Sequence, residues 1–277
     1  MASDTTPPLD ESICRVSDSM VASGVLASRD YRASLPSTNS AALEWLSDQR
    51  GDSSANATLA SQTPRLVIAE TQTAGRGRRG RSWLTQDDGL AFSLVLANCH
   101  PLLSIAVGVA IAEAIEHVAG PAHCGLKWPN DVWMSGTKVA GTLIERVDLP
   151  LAANGYPQTM AVIGIGLNVG SSPRLDEAPA TSVCEATRKW VSRSEVLTEL
   201  VPAVIECANL CDSNPQELLQ SFRKRCVLTG EGVRCHVDGE IVQGRCEGID
   251  DSGELQVWTD TGMQLCRSGE VSRVRRV

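Results

Sequence analysis

The sequence has 277 residues and 42% hydrophobic content, enough for one large domain with a buried core and a smaller second domain. A formal net charge of -8 argues against a general nucleic-acid-binding protein, which would usually carry a broad basic face. No segment could span a bilayer and the start lacks a signal-peptide pattern, so we predict a cytoplasmic protein without a membrane partner. The ten cysteines form no C-x-x-C pair, so we predict no zinc site.

The chain begins with a leader and a capped helix. Residues 1–35 are predicted to be a partly flexible leader with one short helix, too short for a winged-helix DNA-binding domain of about 60 residues. Ser37, Thr38 and Asn39 then precede the helix-forming run 41–46. These polar residues suit a helix N-cap, and capping alone would be sufficient to explain them.

An arginine-rich segment is the most informative part of the sequence. The strand-like run 66–70 leads into it, and residues 76–81 then contain four arginines and two glycines. Glycines let the backbone approach a ligand closely, and guanidinium groups match carboxylate or phosphate oxygens. Taken alone, the segment is compatible with a small-anion site, a nucleic-acid patch or a solvated basic turn; the acidic chain argues against the second.

The middle of the chain alternates strand and helix signals. Residues 90–96 have the period of a strand, residues 103–118 form an apolar helix, and a Ser135-Gly136 turn joins two arms of a hairpin. In the run 162–169, apolar side chains fall on one face and Gly164 and Gly166 on the other. We expect either a ligand or a closely packed backbone to lie against this glycine face.

The last third changes from helices to short strands. A polar loop over 170–181 precedes a helix that begins at the Ser192 and Glu195 capping box, and a final helix ends near Arg225. From Gly230 onward, short alternating strands and Gly-containing turns predict a small closed β-barrel.

Five ordered segments between residues 37 and 169 resemble the biotin protein ligase family, in its monofunctional form without an N-terminal winged-helix repressor domain. The segments are Ser37-Thr38-Asn39, Gln72 to Arg81 with Trp83, Lys127 to Val132, Lys138 to Gly141 and Gly164 to Val169. The resemblance implies an α+β fold, with a class II synthetase-like mixed sheet flanked by helices and a small C-terminal SH3-like β-barrel. It divides the chain into a leader (1–35), a catalytic domain (36–228) and the barrel (229–277).

The resemblance also implies an activity and site residues. Biotin and ATP, with Mg²⁺, would form biotinyl-5′-AMP, and a lysine of a biotin carboxyl carrier protein would accept the biotinyl group. Biotin would be bound by Ser37, Thr38, Asn39, Gln72, Gly75, Arg76, Gly77, Arg78, Lys138, Gly164 and Gly166. ATP would be bound by Arg76, Arg78, Arg81, Trp83, Lys127, Asn130 and Asn168. The catalytic residues would be Lys138, Arg78, Arg81 and Asp131, and Asp131 would orient either a lysine or Mg²⁺.

Two alternative functions stay open at this point. A lipoate–protein ligase would form an acyl-adenylate in a related fold, and a nucleic-acid-binding module would use the arginines and the barrel. The motifs at residues 75–80 and 127–131 favour biotin, and the acidic charge argues against nucleic acid. Exposed strand edges would allow a homodimer.

Overall fold

The computed structural model describes residues 9–49, 59, 61–97, 99–151, 157–174, 179–237, 239–267 and 269–273. The start of the predicted leader, most of the segment 50–64, the middle of the predicted loop over 170–181 and the end of the predicted barrel lie outside these residues.

The predicted helices and strands appear in the predicted order, with additional elements between them. In chain order they are α1 (Glu11–Ala22), β1 (Ser28–Leu35), α2 (Thr38–Asp48), β2 (Arg65–Gln72), β3 (Leu90–Leu96), α3 (Leu103–Ala119), β4 (Gly125–Lys127), β5 (Asp131–Met134), β6 (Thr137–Leu151), β7 (Pro157–Leu167), α4 (Val183–Thr187), α5 (Arg193–Ser213), α6 (Pro215–Arg225), β8 (Gly232–Val237), β9 (Glu240–Ile249), β10 (Leu255–Thr259), β11 (Gly262–Cys266) and β12 (Glu270–Arg273).

The first seven strands form one mixed sheet in the order β1-β2-β3-β7-β6-β5-β4. Among the strand pairs that the structure describes in this sheet, only β1–β2 is parallel. Helices α1, α3, α5 and α6 pack together over one face of the sheet. Helix α2 packs against strands of the sheet and belongs to a separate core cluster. The predicted mixed sheet flanked by helices is therefore confirmed.

Strand β7 shows why the two faces of the sheet differ. Ile163, Ile165 and Leu167 belong to the large core cluster with α3 and α5, as the period of two predicts. Gly164 and Gly166 alternate with them and face the opposite side. That side, which carries α2, is where the candidate site lies.

The C-terminal strands form a separate antiparallel sheet in the order β11-β10-β9-β8-β12. Within the described residues the two outer strands, β11 and β12, pair with one neighbour each, so the sheet is open and the prediction of a closed barrel is wrong. The short alternating segments indicated that these strands pair, but not whether their sheet closes into a barrel. Closure depends on strand tilt and shear, which the sequence does not reveal.

The leader contains more structure than the sequence suggests. Asp10 is the N-cap of α1, and its side chain accepts a hydrogen bond from the Ser12 amide. Strand β1 pairs with β2 at the edge of the large sheet. Strand β1 was missed because its sequence, SRDYRASL, lacks a clean apolar alternation. The proposed domain boundaries at residues 35 and 228 stay a prediction.

A partly buried ion-pair network ties the start of α1 to the sheet and to α5. The Arg193 guanidinium lies 2.8 Å from the Glu70 carboxylate and 2.7 Å from the Asp10 carboxylate. The backbone amide of Asp10 also donates to Glu70 at 3.0 Å. Burial disfavours the charged form of Asp10, but hydrogen bonds from Ser12 and Arg193 outweigh it and lower its pKa to about 2.

Among the residues that the structure describes, no helix is both long enough and apolar enough to cross a membrane.

We predict that Arg193→Met lowers the free energy of unfolding by about 3 kcal/mol, because it leaves the nearly buried Glu70 carboxylate unpaired. The control is Arg15→Met, which removes an exposed ion pair with Glu11 and should cost less than about 0.5 kcal/mol. Urea unfolding at pH 7 measures both. Equal effects of the two substitutions would contradict the prediction.

The same network predicts a pH dependence. The folded pKa of Asp10 lies below its ordinary value of 3.8, so its stabilising contribution is complete above about pH 4 and is lost as the pH falls toward 2. Urea unfolding from pH 5 to 2 should therefore show a smaller loss of stability in Asp10→Asn than in the unmodified chain. Parallel losses in the two proteins would contradict this.

Candidate active site

A cavity of about 630 Å³ opens between α2, the glycine side of β7 and the arginine-rich loop after β2. Its volume falls in the range of ligand pockets. Every predicted site residue except Gly75 lines it: Ser37, Thr38, Asn39, Gln72, Arg76, Gly77, Arg78, Arg81, Trp83, Lys127, Asn130, Asp131, Lys138, Gly164, Gly166 and Asn168.

One end of the cavity is a hydrogen-bonded polar network at the start of α2. The Gln72 side-chain oxygen accepts from the Thr38 amide at 2.8 Å. The Ser93 hydroxyl lies 2.8 Å from the Thr38 hydroxyl and 2.6 Å from Asn39 Oδ1. Ser37 also caps α2 through its side chain. The capping interpretation is thus correct, and the same residues face the cavity.

The glycines of β7 leave space for the side chains that form the floor of the cavity. A Cβ at Gly164 would collide with the Asn39 amide, and a Cβ at Gly166 would collide with the Trp83 indole. The bare face of the strand is therefore covered by two of the predicted site residues. The Trp83 Nε1–H is buried against the glycine face of the strand and has no hydrogen-bond partner among the described residues.

The arginine-rich loop folds back on itself. The Gly77 amide donates to the Arg81 carbonyl at 2.7 Å, and the Trp83 amide donates to the Gly75 carbonyl at 2.9 Å. Arg79 takes a left-handed conformation (φ 54°) at the tip. Gly75 lies outside the cavity lining because its bare side meets the Trp83 carbonyl. Because Gly75 has no side chain, the Trp83 carbonyl can approach its backbone and the loop can close on itself.

Basic side chains concentrate at the other end of the cavity. Lys138 Nζ lies 2.7 Å from an Asp131 carboxylate oxygen and 5.5 Å from the centre of the Trp83 ring. Arg78 donates to the Asn130 side-chain oxygen at 3.0 Å. Lys138 is therefore paired with a carboxylate, whereas the Arg78 guanidinium is held by a neutral amide oxygen.

Burial makes this end of the cavity receptive to anions. It lowers the pKa of both Arg78 and Lys127, the latter partly offset by the Asp131 carboxylate. Lys127 Nζ lies 5.0 Å from the centre of the Trp133 ring. A poorly hydrated cation gains more from binding an anion than an exposed one, because less water must be displaced.

The C-terminal sheet completes the cavity wall. Glu270, Val271 and Ser272 of β12 line it, and the Glu270 carboxylate lies 2.7 Å from Arg81 Nη1. Arg79 also donates to the His236 carbonyl on β8 at 3.3 Å. The arginine-rich loop therefore contacts both sheets.

Sequence reasoning missed several residues of the site. Ser93 could have been found, since it is the only polar residue in the strand LAFSLVL. Glu270 could not, because nothing local links β12 to a loop nearly 190 residues earlier. Trp190 is 79% exposed and lies outside the cavity lining.

The donor set does not form a resident metal centre. In the described part of the chain, no three His, Cys, Asp or Glu side chains cluster as ligands for an ion. The Asp131 carboxylate instead pairs with Lys138. Its position suits orientation of that lysine.

Two family models match the chain. Residues 49–168 match the Biotin/lipoate A/B protein ligase family, and residues 229–274 match the Biotin protein ligase C terminal domain. The two matches fall on the large sheet and on the C-terminal sheet.

Curated relatives and solved structures agree with these matches. The biotin–[acetyl-CoA-carboxylase] ligase of Mycobacterium tuberculosis is 33% identical over 224 residues, which are 76% of this chain and 79% of the relative. That of Paracoccus denitrificans is 34% identical over 218 residues, 74% of this chain and 88% of the relative. The biotin protein ligase of Aquifex aeolicus in complex with biotin and ATP superimposes with a TM-score of 0.70 and 28% identity, covering 90% of this chain and 99% of that one.

We predict that Gly164→Ala lowers the free energy of unfolding by about 1–3 kcal/mol, because the added Cβ displaces Asn39 and its bond with Ser93. The control is Gly108→Ala in α3, where the new Cβ meets only Leu126 at 3.7 Å. That substitution should be neutral or stabilising by up to about 1 kcal/mol, as for Gly→Ala in a helix. Equal urea midpoints for the two variants would contradict close packing over β7.

Proposed function

Because the chain belongs to the biotin protein ligase family, we propose that its cavity forms biotinyl-5′-AMP from biotin and ATP and passes the biotinyl group to a lysine of another protein. ATP-dependent ligation of biotin is the activity of this family. The observation that carries the proposal for this chain is the meeting, in one cavity, of a polar network with a cluster of half-buried cations.

The polar end matches the ureido ring of biotin. A ureido group offers two N–H donors and one carbonyl acceptor, and the network of Ser37, Thr38, Asn39 and Gln72 holds both donors and acceptors. A lipoyl ring has neither group and would leave these side chains unpaired, which a binding site penalises heavily. Gly164 and Gly166 let the floor residues Asn39 and Trp83 lie close under the ligand.

The cationic end suits adenylation. In the first reaction a carboxylate oxygen of biotin bonds to the α-phosphorus of ATP, and the bond to the pyrophosphate oxygen breaks. Two anions must approach each other, so negative charge accumulates in the transition state. Arg78 and Lys138 would stabilise it at the α-phosphate. Arg76 would bind the biotin carboxylate and ATP to the same extent in the ground state and in the transition state, so it would contribute to KM. Asp131 orients Lys138 through their 2.7 Å contact.

The remaining predicted residues would hold the nucleotide. Arg81 and Lys127 would meet phosphate oxygens, Trp83 would supply its ring, and Asn130 and Asn168 would border the nucleotide. Gly77 would carry the loop past the valeryl chain. Arg81 must exchange its Glu270 partner for phosphate if it is to act in this way.

In the second reaction the ε-amine of the acceptor lysine bonds to the acyl carbon, and AMP leaves. The lysine must lose a proton to attack, and the phosphate of the departing AMP keeps its negative charge near Lys138. We propose that the acceptor is a biotin carboxyl carrier protein of a carboxylase, as the names of the two curated relatives suggest. A cytoplasmic location, a homodimer and the lack of a nucleic-acid partner stay predictions.

Mg²⁺ would enter this site with ATP. Mg²⁺ is commonly held by one or two carboxylates together with substrate phosphates, so the lack of a three-ligand cluster among the described residues fits a nucleotide-borne ion. Its chemistry would be neutralisation of phosphate charge. Asp131 would be the protein carboxylate nearest to it on our assignment, beside its pairing with Lys138.

The function is tested by exchange of labelled pyrophosphate into ATP with the purified chain. We expect exchange that depends on biotin and is at least about 100-fold weaker with lipoate, because buried polar groups reject a ligand that cannot pair with them. Lipoate-dependent exchange would support the alternative ligase. Exchange with neither acid, together with steeply salt-dependent RNA or DNA binding, would support a nucleic-acid module instead.

We predict that Lys138→Ala and Arg78→Ala each reduce biotin-dependent exchange by about 100-fold or more, because each removes a preorganised charge-stabilising group. The control is Arg146→Ala, which changes an exposed arginine on the same strand as Lys138 that pairs with the exposed Asp148. Its exchange rate should match that of the unmodified chain. Unmodified rates in either cavity variant would refute the assigned role.

A further inference from the structure

Glu145, on β6, connects two parts of the cavity that are far apart in sequence. Its carboxylate accepts from both terminal nitrogens of Arg76, at 2.6 and 3.1 Å. The same group accepts from Asn39 Nδ2 at 2.9 Å. Glu145 lies outside the cavity lining, so it reaches the ligand only through these two partners.

We infer that Glu145 is a positioning residue that fixes Asn39 at the biotin end of the cavity and Arg76 in the arginine-rich loop. The inference rests on the proposed function, since it assigns a role within the same site. It goes beyond that function in naming one carboxylate that joins the ring-binding network to the loop.

The geometry of Asn39 explains why a carboxylate is needed. Its amide donates to Glu145 and to the Leu143 carbonyl at 3.1 Å, and its oxygen lies 2.6 Å from the Ser93 hydroxyl. With both donors directed to the sheet, the amide oxygen is turned toward Ser93 and keeps one acceptor position for a ligand N–H. Without an acceptor at residue 145, one donor would be left unpaired and the amide would be free to rotate.

The geometry of Arg76 makes the same demand. A carboxylate can accept from both forks of a guanidinium, and the pair is stronger than a neutral hydrogen bond. Glu145→Gln keeps the size of the side chain but replaces one acceptor oxygen by an NH₂ group. That group would face either the Arg76 guanidinium or the Asn39 NH₂, and neither can accept its hydrogens.

The kinetic test uses biotin-dependent pyrophosphate exchange with the full chain. We expect Glu145→Gln to raise KM for biotin about 10-fold, as expected for loss of a hydrogen bond to a charged group, and to change kcat less than about 3-fold. Glu145→Asp keeps the charge and shortens the reach, so its KM should be intermediate. The matched control, Asp148→Asn, removes an exposed carboxylate on the same strand and should leave both constants unchanged.

A combined variant separates positioning from general damage. In the Asn39→Ala and Arg76→Ala background, adding Glu145→Gln should change KM less than about 2-fold, because residues that act as one unit are not additive. An unchanged KM in Glu145→Gln alone, or the full increase in the combined background, would overturn the inference.

Trypsin cleavage after Arg76 tests the inference without any substrate. Trypsin binds the guanidinium of Arg76, so the ion pair with Glu145 must break before cleavage. Cleavage after Arg76 should therefore be at least about 5-fold faster in Glu145→Gln and unchanged in Asp148→Asn. Equal cleavage in the unmodified chain and Glu145→Gln would overturn the inference even if no exchange activity were found. Lack of exchange in the unmodified chain, by contrast, would refute the proposed function alone.

Discussion

The missing side chains on one face of β7 are the constraint on which the site depends. At Gly164 and Gly166 the strand presents backbone alone, and Asn39 and Trp83 lie directly against it. Any larger residue would lift these side chains from the sheet and fill the cavity floor. The opposite face of the same strand is packed with Ile163 and its neighbours, so the large core holds the glycine face in place.

Ion pairs around the cavity are a second constraint. Although the chain is acidic overall, five cationic side chains line the cavity, and three of them are paired with carboxylates. Lys138, Arg76 and Arg81 each lie against a carboxylate, from Asp131, Glu145 and Glu270 respectively. On the proposed function, ATP phosphates would compete with these carboxylates for the cations, so the ion pairs would both hold the cations in position and set the strength of the competition.

Much of the fold could be predicted from local patterns. The capping box of Ser192 and Glu195, the alternation along β7 and the helix over 103–118 all lie where expected, because each depends on residues close in sequence. Strand β1 was missed, since its place is decided by pairing with β2 and not by its own side chains. Closure of the C-terminal sheet was predicted wrongly for a similar reason: strand propensity does not specify shear.

The sequence by itself identified the family of this protein through its glycine, arginine and lysine motifs. Of the site residues that it predicts, all except Gly75 line a single cavity, and their roles stay predictions. Tertiary structure alone decided which charges meet. Glu145 reaches Asn39 across about a hundred residues of chain, and Glu270 reaches Arg81 from another sheet. Such pairs leave no local pattern, because a carboxylate on a strand looks the same in sequence whether it faces water or an arginine.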